Sequence, residues 1–368
     1  MPPNSSPFAS KLSANLEELD LSRQQLVSLP EPSEELVNLK RLYLDDNELS
    51  LLPEWIAGMV KLEELHLDRN LFTSFPEVIQ NLPNLKVLNL YDNQLAEIPE
   101  RVSHMAGLRE LSLGHNRISS LPKAFWQLTG LQVLNLAENR LEAIPEEIGS
   151  LAHLHTLDLG HNTLTVLPNA LGELKGLTYF LYLHDNRLAS LPESLENWVN
   201  LRYLNLSDNQ LTLLPEGIGN LGRLIELRAS NNRLVSLPEA VGLLRGLKEL
   251  HLTNNQLAEL PESIGRLVSL RKLLLEANQL SSLPPAIGDL ANLTELSLRT
   301  NQLESLPESF AGLRSLVTLD LRANRLATVP ECLHELPGLE KLDLRWNKLR
   351  RVPEWIKEIE VKGGVVYR

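Results

Sequence analysis

Three groups of side chains in this chain have types and spacings that could do chemistry. The first is the lone thiol of Cys332, between Glu331 and Leu333 and two residues from His334. A neighbouring imidazole can turn a thiol into a thiolate nucleophile, but an ordinary surface thiol is the better reading of an isolated pair. The second group is His115 and His161, which share one column of a repeating pattern with Glu138, Asp185 and Asp208 between and after them. Imidazole and carboxylate are metal ligands, yet the two histidines stand two repeats apart. At about 4.8 Å per strand that places their backbones about 9.6 Å from each other, too far for ligands each about 2 Å from one ion. A solvated polar row is therefore expected, and no metal or cofactor. The third group is aromatic and cationic: Tyr91, Phe180, Tyr182, His184, Tyr203, Arg228, Arg299 and Trp346, the side chains of a recognition surface rather than of a reaction. No G-x-x-x-x-G-K-[ST] loop, H-E-x-x-H or C-x-x-C occurs. No catalytic residue is named, and the chain is expected not to be an enzyme.

What positions these groups is a repeat. Asn recurs every 23 residues from Asn47 to Asn162, takes one 24-residue step to Asn186, and resumes at 23 up to Asn347. Leu occupies the positions five and three before the Asn in 29 of 30 cases across fifteen units, Ala229 being the exception. The first unit carries Gln24 in the Asn place. Alternation around those leucines is the period-two signal of a short strand, and the whole period is that of a leucine-rich repeat solenoid. Fifteen strands would form one parallel sheet about 67 Å from edge to edge. The Asn carries both an acceptor and donors, so stacked Asn side chains can satisfy backbone groups where each strand ends. Pro then Glu follows in twelve repeats, the chemistry of a helix start. The fold class is thus α/β: a curved horseshoe with its sheet on the concave face and short helical turns on the convex one.

Concave side chains should come from positions six, four, two and one before the Asn. Repeats one to four are acidic there: Asp20, Asp45, Asp46, Glu64, Asp68 and Asp92 outnumber Arg23, Arg41 and Arg69, either a dock for a basic surface or a solvated face. The middle carries Tyr91, then Phe180, Tyr182, His184 and Tyr203, and coincides with the irregular step, where one extra residue lies between Leu177 and Leu181. Such an insertion suggests a bulge that re-aims side chains. The end stacks Arg299, Arg322 and Arg345 beside Trp346, with Asp320 and Asp343 placed to neutralise two of the three.

The unit running from Leu214-Pro215-Glu216-Gly217-Ile218 to Asn232-Arg233-Leu234 resembles the Ras-group leucine-rich repeat proteins, Ras suppressor, Scribble and Erbin among them. The ending around Leu344-Arg345-Trp346-Asn347 is most similar to bacterial members. That resemblance implies an intracellular, non-enzymatic scaffold holding another protein, such as a small GTPase or other signalling protein, on its concave face.

Residues 1–15 are expected to form a short N-terminal segment or cap, 16–349 the array, and 350–368 a C-terminal cap built from Trp355, Ile356, Ile359 and Val365-Val366-Tyr367. A net charge of −12 argues against a nucleic-acid footprint. No apolar run is long enough to span a membrane, and no signal peptide is legible in the first fifteen residues. A cytoplasmic, reducing setting follows as the expectation. The function expected is protein binding in signalling. A consensus-like array without a dedicated partner and an exported effector are the alternatives.

Overall fold

The computed structural model describes residues 16–30 and 34–368, so the expected N-terminal cap lies outside the described residues. The chain divides into two compact units, Met1–Thr163 and Leu164–Arg368. The division falls inside the single 24-residue step from Asn162 to Asn186.

In the first unit the strands are β1 (Glu18–Asp20), β2 (Arg41–Tyr43), β3 (Glu64–His66), β4 (Val87–Asn89), β5 (Glu110–Ser112), β6 (Val133–Asn135) and β7 (Thr156–Asp158). Each pairs in parallel with the next, every residue opposite its equivalent 23 positions on, as in Leu65 with Leu88. The second unit holds β8 (Phe180–Tyr182), β9 (Tyr203–Asn205), β10 (Glu226–Arg228), β11 (Glu249–His251), β12 (Lys272–Leu274), β13 (Glu295–Ser297), β14 (Thr318–Asp320) and β15 (Lys341–Asp343). A helix, α1 (Ile356–Val361), and a last strand, β16 (Val365–Tyr367), close it. Here too the strands follow sequence order, all parallel.

The leucines explain the layering. Leu227, Leu250, Leu273 and Leu296 are completely buried, and Ala229 is as deeply buried as the leucines that share its column. No unit could bury these faces alone, so stability comes from stacking.

Behind each strand the Pro-Glu segment folds as a five-residue 3-10 turn, for example Glu216–Asn220. Pro215 is extended, and its carbonyl accepts the Ile218 N–H at 3.0 Å, so its missing donor goes unmissed. The 3-10 geometry suits the sequence because residues three apart eclipse. Ile218 and Leu221 therefore point the same way, and both are fully buried. Successive turns nest closely in the second unit: a Cβ added to Gly288 would lie 2.0 Å from the Ser309 carbonyl oxygen.

The Asn ladder forms in both units. Asn70 Oδ1 accepts the Leu49 N–H at 3.0 Å, while its amide donates to the carbonyls of Leu44 at 2.9 Å and Leu67 at 3.1 Å. The same pattern recurs at Asn232 and Asn278. The residue before the Asn adopts left-handed backbone in all fifteen repeats, with φ between 50° and 60°. Eight of these fifteen are Asp, Asn or His, the residues that accept that region most readily.

Ile356 is fully buried, and β16 adds to the sheet beside β15 with Leu342 opposite Val366. Trp355 donates its Nε1–H to Glu331 and stacks on His334 at 5.2 Å.

Candidate protein-binding face

Strand alternation turns the residues six and four before each Asn away from the leucines, and the ladder fixes their spacing. In the second unit this brings Phe180, Tyr182 and Tyr203 together. Phe180 and Tyr182 stack at 5.7 Å with planes 8° apart, and Tyr203 leans on them at 5.6 and 5.1 Å. His184 meets Tyr182 edge-on at 6.0 Å, and the Arg228 guanidinium lies 5.9 Å over the Tyr203 ring. Burial in this cluster pushes the Tyr203 hydroxyl up to about 12. Phe180 remains 42% exposed. A groove opens beside it, lined by Tyr179, Phe180, Arg202, Tyr203, Ile225 and Glu226.

The extra residue of the 24-residue step is taken up ahead of β8. Leu177 and Leu181 both stay fully buried, Tyr179 sits in a bend, and β8 pairs with β9 in ordinary register, Phe180 opposite Tyr203. Tyr179, 47% exposed, precedes its strand as Arg202 precedes β9, and the pairing of β8 with β9 shows no bulge.

In the first unit the acidic side chains are already committed. Asp20 accepts the Ser22 N–H, Asp45 the Asp68 N–H, and Asp68 the Tyr91 N–H, each at 2.8 Å. Asp46 pairs with both Arg23 and Arg69. Asp92 pairs with His115 at 2.7 Å, and His115 reaches Glu138 at 3.9 Å. Burial, reinforced by the nearby Asp45 charge, pushes Asp68 up to about 6 despite the Tyr91 N–H. Tyr91 itself donates its hydroxyl to Glu138 at 2.9 Å, and burial with that bond raises it to about 12. Much of the acidic charge on this face is thus paired within the first unit.

The arginine column behaves as its aspartates suggest. Arg322 engages Asp320 at 2.6 Å and Asp343 at 3.4 Å, and Arg345 holds Asp343 at 2.7 Å while lying 4.8 Å over Tyr367. Among the described residues the Arg299 guanidinium has no ion-pair partner. Trp346 is 67% exposed with Arg345 5.8 Å from its ring. Cys332 is half-buried, and burial raises its thiol to about 11, which leaves it protonated and poorly nucleophilic at neutral pH.

Glu226, Glu249 and His251 bring one ligand-type atom each within 4.8 Å of one another, a cluster that columns of sequence did not suggest. Glu226 already holds Arg228, and His251 holds Glu249 at 2.9 Å, so the group closes as an ion-pair network.

Comparison with known proteins agrees with this geometry. Leucine rich repeat models match residues 14–72, 73–118, 83–141 and 129–188, and a leucine-rich repeat region model matches 189–275 and 259–361. A solved leucine-rich repeat protein of Leptospira interrogans is similar over 96% of this chain and 96% of its own, with 34% identity and a TM-score of 0.87. The chain belongs to the leucine-rich repeat family. Within that family its fold is also shared by an internalin of Listeria monocytogenes, at 24% identity, a TM-score of 0.71, and 84% and 87% coverage of the two chains. A plant peptide hormone receptor in complex with RGF2 matches at 28% identity and a TM-score of 0.60, over 92% of this chain and 68% of the receptor. No curated protein matches the chain at a significant level.

For this leucine-rich repeat protein, the structure gathers Phe180, Tyr182, His184, Tyr203 and Arg228 into one patch. Arg299 and Trp346 stand apart from it in later repeats, and Tyr91 belongs to the first unit. Sequence reasoning missed Tyr179, Arg202, Ile225 and Glu226 as members of the groove. Tyr179, Arg202 and Ile225 precede strands by one residue, outside the alternating positions, though Ile225 lies between the charged Arg202 and Lys248 of its column and could have been noticed.

Proposed function

We propose that the protein is a non-enzymatic adaptor that binds a partner protein through the outward sheet face of its second unit, in the cytoplasm and in signalling. The observation that carries this reading is the stacked Phe180–Tyr182–Tyr203 cluster with Phe180 left open to solvent. Aromatic anchors of this kind dominate binding energy at interfaces. Held on a hydrogen-bonded ladder, they lose little freedom when a partner docks. A single cysteine, which can form no internal disulfide, supports a reducing compartment, and the plant receptor in its complex with RGF2 supports partner binding by the fold.

The experiment is capture of a partner by the full chain and by a Phe180→Ala/Tyr182→Ala/Tyr203→Ala variant, with folding checked by circular dichroism. One hot-spot aromatic is worth about 2 kcal/mol, about thirtyfold in affinity, so the variant should lose the partner. Undiminished capture by a folded variant would refute this site.

A further inference from the structure

The residue immediately before each strand forms a column along the N-terminal edge of the sheet. Over the first four repeats that column alternates in sign and pairs internally, Lys40 with Glu17 at 2.9 Å and Lys86 with Glu63 at 2.7 Å, before continuing with Arg109, Gln132 and His155. In the second unit the part of this column that precedes β9 to β12 reads Arg202, Ile225, Lys248 and Arg271, all exposed, between Tyr179 on one side and Thr294, Val317 and Glu340 on the other. Among the described residues none of these three cations has an ion-pair partner. An unneutralised cationic edge is notable in a chain whose net charge is −12. It also adjoins a mainly apolar depression, where Tyr179, Phe180, Tyr203 and Ile225 meet. Lys248 and Arg271 line a second, polar depression with Ser269, Asn292, Thr294 and Ser315.

We propose that this edge binds an extended, acidic polypeptide segment. An apolar side chain of that segment would seat in the aromatic depression, and its carboxylates would meet Lys248 and Arg271. Two strand spacings separate Ile225 from Arg271, about 9.6 Å, and an extended chain covers that in about three residues. The ligand is therefore an apolar residue with Glu or Asp about three positions away. Charge complementarity fixes the sign, and the apolar depression distinguishes a polypeptide from a bare polyanion, which has no apolar side chain to seat there. This inference rests on the reading of the second unit as the protein-binding face and names the class of partner.

The test is fluorescence anisotropy of the full chain with a short labelled peptide carrying one Trp among glutamates. Controls replace its Trp by Gly or its Glu by Lys, and an oligothymidine of similar length stands for nucleic acid. The acidic Trp peptide should bind, should weaken as salt is raised, and should lose at least about tenfold in affinity with Lys248→Gln/Arg271→Gln and with Phe180→Ala. Equal binding of the lysine peptide, or binding indifferent to Lys248→Gln/Arg271→Gln, overturns the proposal. Tighter binding of oligothymidine at the same residues overturns the assignment to polypeptide. Should partner capture depend on the aromatic trio while Lys248→Gln/Arg271→Gln leaves it unchanged, this inference alone falls and the adaptor reading stands.

Discussion

Replacing Asn232 separates the two jobs of the ladder amide. Its Oδ1 accepts the Leu211 N–H at 2.9 Å, and its Nδ2 faces the carbonyls of Leu206, Ala229 and Ser230 at 2.9, 3.3 and 3.1 Å. Each of those carbonyls has a second donor: Asn209 at 3.1 Å, Asn255 at 2.9 Å and the Asp208 N–H at 2.9 Å, respectively. Asn232→Ala therefore orphans one buried group, the Leu211 N–H, at a cost of about 1–3 kcal/mol. Asn232→Asp keeps that acceptor but turns a carboxylate oxygen towards three carbonyls in a site only 8% exposed. Burying an uncompensated charge costs several kcal/mol more. The conservative change should thus be the more damaging one at pH 8. Its carboxyl must have a folded pKa above the unfolded value, so the folded state binds the extra proton. The Asp variant should then recover as pH falls, its stability being lost again as pH rises through that raised value. Because long arrays need not unfold as one unit, amide exchange read repeat by repeat is the assay, with urea melts beside it. Both should place the loss around Leu211 and Asn232. An Asp variant as protected as the Ala variant at pH 8 would falsify the claim that the donor half of the amide is what the site requires.

Asp68, raised to about 6, should cost the fold stability as pH rises from about 4 through 6, by up to about 3 kcal/mol. Asp68→Asn keeps an acceptor for the Tyr91 N–H, so its melting temperature should exceed that of the parent at pH 7.5 and match it near pH 4. Thr300 holds φ 56° with a branched Cβ, and Thr300→Asn should stabilise by about 1 kcal/mol in urea denaturation. Gly288→Ala must push against the Ser309 carbonyl and should cost about 1–3 kcal/mol, with exchange rising in the turns Pro285–Asp289 and Glu308–Gly312.

The fold was legible because its determinants repeat. Fourteen asparagines and twenty-nine leucines at fixed intervals carry the register in their spacing, and the Arg322–Asp320 and Arg345–Asp343 pairs could be anticipated within single repeats. The surface was less legible, because its contacts join residues 23 apart whose side-chain directions depend on the backbone. Arg69 with Asp46 and His115 with Asp92 turn a run of carboxylates that reads as a binding zone into an internal network. Glu226, Glu249 and His251 converge only once neighbouring strands are laid side by side. The left-handed column was written in its Asp, Asn and His residues but was read as side-chain chemistry rather than as backbone demand.

The added residue between Leu177 and Leu181 shows where this architecture tolerates a change of length. Material spliced in ahead of a strand leaves both leucines seated and the β8–β9 pairing in step. A graft placed between a strand and its asparagine would instead pull the amide off the carbonyls it serves. The segment before the strand is thus the natural site for designed loops, and new recognition elements can be acquired there without touching the residues that make the array fold.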